Sequence, residues 1–165
     1  MKTMLVMCAV LLAVAEAPAA QKPKYGVTVT TEKGVDYAKF KSYSWTKGQP
    51  APDKRVDTTI VAAVDRELMA LGLTKATTGT GDVLATYSSL SRTDIDPTAK
   101  ADEKGNPSQY QVGSLTVAFL APGDQRSLLR LRIDTPIGSD RETINSAIDA
   151  AVTEMFASYP TRTRK

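Results

Sequence analysis

Residues Lys24 to Thr31, KYGVTVTT, alternate, with Tyr25, Val27 and Val29 on one side and Thr28 and Thr30 on the other. A two-residue period is that of a half-buried strand. Glu32-Lys33-Gly34 reads as a turn. A second strand is expected over about 40–46, where Tyr43 and Trp45 share one face and Ser42 and Ser44 the other. The proline-rich segment TKGQPAPDKR that follows is a loop.

From Val56 to Leu71 the period changes. Ile60, Val64, Leu68 and Leu71 recur at helical spacing with Val61 beside them, and Asp65, Arg66 and Glu67 lie opposite. Asp57 is placed to cap this helix and Gly72 to end it. TKATTGTG is read as loop, and DVLATYSSL (82–90) as a strand with Val83, Ala85 and Tyr87 on one side. Residues 91–109 show no apolar period and are rich in charge, Pro, Asn and Gly, which predicts a long mobile loop. Two strands follow at about 111–120 and 127–134, joined by a hairpin through Ala121–Gln125. Ser139-x-x-Glu142 is a capping box, and Ile144, Ile148, Val152, Met155 and Phe156 mark the apolar face of a last helix that runs to about residue 157.

The resulting order, β-β-α-β-β-β-α, predicts a single two-layer α+β domain over residues 20–160. Its mostly antiparallel sheet has about five strands, with both helices packed on one face. Residues 161–165 form a basic tail. The first residues do not belong to this pattern. Lys2 precedes an uncharged apolar run from Met4 to Ala15. At about twelve residues this run is short of the ~20 that span a bilayer as a helix. With the small residues of Ala17-Pro18-Ala19 behind it, it reads as a secretory signal peptide over residues 1–19, cut between Ala19 and Ala20.

That expectation makes composition informative. The chain has no histidine, and its one cysteine, Cys8, lies inside the apolar run and leaves with it. The mature domain would hold together without a disulfide even in an oxidising compartment. Cys/His zinc sites, cysteine nucleophiles and Ser-His-Asp triads are excluded. A net charge of +3 points to no partner.

Four aromatic residues, Tyr37, Phe40, Tyr43 and Trp45, crowd into D-Y-A-K-F-K-S-Y-S-W (36–45). With a helix ending L-x-x-L-G-L, a D-V-L-x-x-Y strand, a G-S-L-T-V hairpin strand and a last helix ending in an aromatic and proline, this run resembles the bacterial envelope family of domains of unknown function 4136. The resemblance covers about residues 25–160. It implies a secreted or surface-tethered α+β domain with no established activity, and it carries over no catalytic residue. Many members of the family look like lipoproteins, whereas Cys8 is misplaced for a lipid anchor. The second hairpin strand often carries a tryptophan in the family, where this chain has Leu128, Leu129 and Leu131. The signature favours a structural role for Phe40, Tyr43 and Trp45 in the core, with Tyr37 half exposed.

Candidate chemistry is sparse. Lys39, Lys41 and Lys47 interleave with the aromatics in a manner superficially suited to single strands, but an exported protein argues against nucleic acid. Arg130 and Arg132 alternate with core leucines and, with Arg126, make a candidate patch for an anionic ligand such as a lipid headgroup or acidic glycan. An ordinary charged strand is the competing reading. Asp94, Asp96, Asp102 and Glu103 are candidates for calcium or for an acid/base pair. Thr98 and Ala99 break the EF-hand spacing, and a solvated loop explains the same carboxylates. Gly79-Thr80-Gly81 lacks the Lys-Ser/Thr sequel of a phosphate loop. The expectation is a non-enzymatic periplasmic or outer-membrane-associated module that binds an envelope protein, lipid or glycan. It needs no cofactor, metal or transmembrane helix. The alternatives are a carboxylate-dependent hydrolase and a structural subunit of a larger complex. An apolar groove or a cationic patch would favour the first, convergent carboxylates the second and an open strand edge the third.

Overall fold

The computed structural model describes residues 25–96, 98–137 and 141–162. The expected leader with its Ala19/Ala20 cleavage point, the Ser139 capping box and the end of the basic tail lie outside the described residues. The elements are β1 (Gly26–Thr31), β2 (Ser42–Trp45), α1 (Lys54–Ala70), β3 (Thr74–Lys75), β4 (Val83–Ile95), β5 (Gln109–Leu120), β6 (Ser127–Pro136) and α2 (Arg141–Ala157). A short 3-10 turn at Tyr37–Lys39 leads into β2. The strands make one sheet in the order β1-β6-β5-β4-β2-β3. β1, β6, β5 and β4 pair antiparallel, while β2 lies parallel to both β4 and β3. The domain is therefore α+β as expected, with a sixth strand and a mixed sheet.

Both helices cover one face. The odd-numbered positions of β4, β5 and β6 point toward them, and Val83, Ala85, Val117, Phe119, Leu129 and Leu131 are buried there against Ile60, Val64 and Leu68 of α1 and Val152, Met155 and Phe156 of α2. Burying each such aliphatic side chain contributes roughly 1.5–3 kcal/mol. Phe119 meets Phe156 edge-on at 6.3 Å, and Tyr159 stacks on Phe156 just past the helix end. The opposite face carries Thr28, Thr30, Thr86, Ser88, Thr116, Arg130 and Arg132, and no helix packs on it among the described residues.

Four local expectations are corrected. The α1 cap is Asp53, whose carboxylate accepts from the Arg55 amide at 2.8 Å, because the helix begins one turn before its apolar stripe. Asp57 instead accepts the phenol of Tyr87. Thr74–Lys75 is a strand, too short to show a period. Gly72, at φ +86°, ends α1 and turns the chain so that the Thr74 amide reaches Lys41 O at 2.8 Å. The loop predicted over 91–109 shrinks to 96–108, since β4 runs to Ile95 and β5 starts at Gln109. That extension is a two-stranded ribbon held by backbone bonds, with Gln111 Nε2 donating to Thr93 Oγ1 across it at 2.8 Å, and such pairing requires no apolar period. Tyr25 does not share the face of Val27 and Val29. Gly26, at φ +109°, redirects the chain so that Tyr25 meets Tyr110, which sits on the outer face, ring to ring at 6.4 Å. In the basic tail, Arg162 folds back onto the buried Glu67, with its guanidinium 2.8 Å from Oε2.

Candidate functional site

The two layers do not fill evenly. In the C-terminal half of α2 large side chains reach the sheet, but the N-terminal half presents Ile144, Ala147, Ile148 and Ala151. Opposite them the sheet offers Ser89, Ser91 and Gly113 on the helix-facing side, and Ala51 and Pro52 stand beside the start of α1. Small residues on both surfaces leave a groove of about 410 Å³, floored by Leu115 and Ile133 and flanked by Val56 and Ile60. That volume falls in the range of small-molecule sites, ≈ 300–1,000 Å³. Ile137 lies across Gly113 so closely that a Cβ there would come within 3.0 Å of its Cγ2.

One wall of the groove is held rigidly. The Gln49 amide donates to Tyr87 O at 3.0 Å, and the Ser89 amide to Gln49 O at 3.0 Å. Gly48 lies so near β4 that an added Cβ would be 2.2 Å from Tyr87 O. The phenol of Tyr87 donates to Asp57 and accepts from the Ala51 amide at 3.2 Å, which fixes the loop above it. Burial, and then the bond to Asp57, pushes the Tyr87 phenol up to about 12. Among the groove's described lining the acidic side chain is Asp53, already engaged in capping α1. The groove can hold an apolar body and offers hydroxyls from Ser89, Ser91 and Thr135.

The residues singled out from sequence fall elsewhere. Tyr43 is fully buried, and Phe40 and Trp45 are half-buried against the same core. Tyr43 Oη and Trp45 Nε1 both donate to Asp65 Oδ1, at 2.6 and 2.8 Å, and Lys75 approaches Asp65 Oδ2 at 3.0 Å. Tyr37 is half-buried and donates to Leu128 O at 2.7 Å. Lys39 pairs with Asp36 and Lys41 Nζ donates to Ala38 O, so both serve the 3-10 turn. Gly81 packs on the backbone of Tyr43.

Arg130 and Arg132 stand together on the outer face, while Arg126 sits at the β5–β6 turn beside Glu32 and Asp124. Arg132 binds Asp134, which also receives Ser114 and lies 3.4 Å from Arg92. Burial alone would raise the Asp134 carboxyl, but the bonds from Arg132 and Ser114 outweigh it and hold it below the ordinary aspartate value. Arg130 makes no ion pair among the described residues. The acidic candidates do not converge. Asp94 pairs with Arg92 on β4, Asp96 closes a turn onto Thr98 and Ala99, and Asp102 closes another onto Lys104 and Asn106. Those turn hydrogen bonds hold Asp96 and Asp102 below the ordinary value. Among the described residues no three acidic, histidine or cysteine side chains gather as metal ligands would.

No apolar period in the sequence marks the groove. Its available signal is the replacement of large apolar residues by Ser89, Ser91 and Gly113 at positions whose strand neighbours, Tyr87 and Leu115, are core. No period marks that, because it depends on which helix lies opposite.

A two-layer α+β domain with an apolar groove between its helices and sheet is thus the class that the geometry defines. The chain belongs to the family described as domain of unknown function (DUF4136), whose profile matches residues 27–161. Among solved structures it is similar to a PDZ domain protein from Parabacteroides distasonis, at 14% identity and TM-score 0.57, covering 86% of this chain and 37% of that one. It therefore spans little more than a third of that protein. It is similar also to PelC from Paraburkholderia phytofirmans, a dodecamer, at 10% identity and TM-score 0.55, covering 86% of this chain and all of that one. A second crystal form of the PelC dodecamer matches at 9% identity and TM-score 0.54, over 81% of this chain and 96% of that one. At these identities the likeness is one of fold. No curated protein matches the sequence. Among the described residues no helix is long and apolar enough to cross a membrane.

Proposed function

We propose that this DUF4136 domain is an exported, envelope-associated binding module that takes the hydrocarbon chain of a lipid into the groove between α1, α2 and the sheet. The observation that carries this reading is the groove itself, about 410 Å³ lined chiefly by aliphatic side chains. Burial of apolar ligand surface there contributes roughly 25 cal/mol per Å². The rim hydroxyls suit a neutral polar head better than a charge. A hydrolase would ask for positioned carboxylates, and the one in the lining already caps a helix.

Native mass spectrometry of the protein purified from its own envelope tests this. The expected result is a polypeptide mass of residues 20–165 with a non-covalent, acyl-sized addition that leaves on denaturation. Ala147 is exposed and lines the groove, so Ala147→Trp should fill the space and abolish the addition while preserving the fold. A bare mass from the wild-type protein would overturn the reading.

A second reading rests on Arg130, which has no carboxylate partner among the described residues and stands with Arg132 on the outer face, one turn of chain from Arg126. There the ligand is an anionic headgroup. Binding to vesicles of anionic lipid that disappears in Arg130→Glu, with Ala147→Trp unaffected, would separate this site from the groove.

A further inference from the structure

Past Ser89 the free side of β4 pairs with no other strand among the described residues. β2 pairs with β4 at Val83–Ala85, and the Gln49 bridge extends the cover to Ser89. The directions of the amides beyond it are set by the ladder. Ser89 N points sideways to Gln49 O, whereas Asp96 N points back to Ser108 O of the hairpin. The N–H and C=O groups of Ser91, Thr93 and Ile95 therefore face outward from the sheet in a row, and all three residues are exposed. Such an edge is a template for another strand.

We propose that this edge pairs antiparallel with the same edge of a second copy, about a two-fold axis through Thr93. The register is chosen by charge. Centred on Thr93, Arg92 of each copy faces Asp94 of the other, Thr93 faces Thr93, and Ser91 faces Ile95. A two-fold centred on Arg92 sets arginine against arginine, and one centred on Asp94 sets aspartate against aspartate, both repulsive. The pairing also covers Ile95, which is 55% exposed as a monomer. Ile95 points to the helix-facing side of the sheet, as does Ser91, and Ser91 lines the groove. Each copy thus brings an apolar side chain to the mouth of the other's groove. The ladder adds about six hydrogen bonds, two for each of its three bonded pairs. The arrangement is isologous, so it closes as a dimer and does not propagate. It stands on the edge and its register and does not depend on what the groove binds.

Light scattering across a range of concentrations is expected to show a monomer–dimer equilibrium. Thr93→Pro removes an amide that faces outward from the monomer, so it should weaken association about tenfold or more and leave the circular dichroism unchanged. Ile95→Lys, at an exposed position, is a second variant with the same expected loss. In a Cys8→Ser background, Thr93→Cys should form an intersubunit disulfide on mild oxidation, since Cα atoms of a bonded pair lie about 5.5 Å apart, within the ~4.4–6.8 Å that a disulfide spans. Lys100→Cys, in the hairpin loop, should not. A protein that is monomeric at every concentration and whose Thr93→Cys variant does not crosslink overturns the proposal. So does a dimer that persists in folded Thr93→Pro, and so does a Thr93→Cys variant that crosslinks to a strand of a different protein in place of its own copy.

Discussion

Trp45 on β2 donates its indole N–H to Asp65 on α1 at 2.8 Å, and the same carboxylate oxygen receives the Tyr43 phenol from two residues earlier at 2.6 Å. Two members of the aromatic run thus converge on one acceptor, which ties the parallel strand to the helix above it. Removing Asp65 leaves the fully buried Tyr43 hydroxyl without its partner. Asp65→Ala is expected to lower stability by about 2–4 kcal/mol, the cost of two unsatisfied donors. Lys75→Met, at the half-exposed end of the same cluster, should cost less than about 1 kcal/mol. Urea denaturation of both variants distinguishes a shared acceptor from a mere surface ion pair.

Stability should fall at high pH, and the tyrosines set the window. Burial is the main cause that raises both Tyr87 and Tyr159 to about 12, against an ordinary value of 10.0. A phenol whose folded value is raised adds stability that is whole below the unfolded value and is lost as pH rises through the folded one. The thermal midpoint should therefore hold steady up to pH 10 and drop between there and pH 12. Tyr87→Phe should make the drop shallower, while lowering stability at neutral pH because Asp57 and the Ala51 amide lose a partner. An alkaline limb of unchanged slope in that variant would show that Tyr87 ionises as it does in the unfolded chain.

Gly81 has an ordinary backbone angle and is required for space. A Cβ there would stand 2.6 Å from the Cα of Tyr43, against backbone that has no room to move. Gly81→Ala is expected to cost about 1–3 kcal/mol. Gly123→Ala, where nothing lies within 4 Å, should be neutral. Parallel thermal melts of the two check it, and equal midpoints would refute the close approach.

Glu67 is 7% exposed on α1, and its carboxylate is met by Thr153 of α2 at 2.9 Å and Arg162 at 2.8 Å. Truncating the chain before Arg162 strands that charge with one neutral donor. The loss should be about 2–4 kcal/mol, and Glu67→Gln in the truncated chain should recover part of it. Denaturant midpoints of the four chains in this cycle measure the coupling, and strict additivity would mean that the contact carries none.

Much of the architecture is legible in the sequence because it is written in apolar periods. Val27 and Val29, Val83 to Tyr87, Leu129 to Ile133 and the stripe of Ile60, Val64 and Leu68 all bury the faces that their spacing marks. What escapes has no period to read. Thr74–Lys75 is too short to alternate, and Ser91 to Ile95 is held by its backbone with polar side chains on both faces. Tyr25 keeps the spacing of its strand but not its face, because one glycine reverses the chain at Gly26. The groove is harder still, since it consists of what Ser89, Gly113 and Ala147 lack. The three arginines read as a patch by their spacing along one strand and its turn, but Asp124 and Asp134, two residues from Arg126 and Arg132, already neutralise part of it, and the fold adds the distant Glu32 to Arg126.

Among the described residues β1, the first strand of the sheet, pairs with β6, the last, alone, with Thr28 opposite Arg132. Residues 32–126 separate the two strands, so a long loop must close before the sheet is complete. Loop-closure entropy makes such a step late and slow. Until then the N-terminal strand hangs free of the hairpins that fold locally. A fold that sews its first strand in last delays its own compactness, and the rate of refolding should track variants of the β1–β6 pair more closely than those of α1.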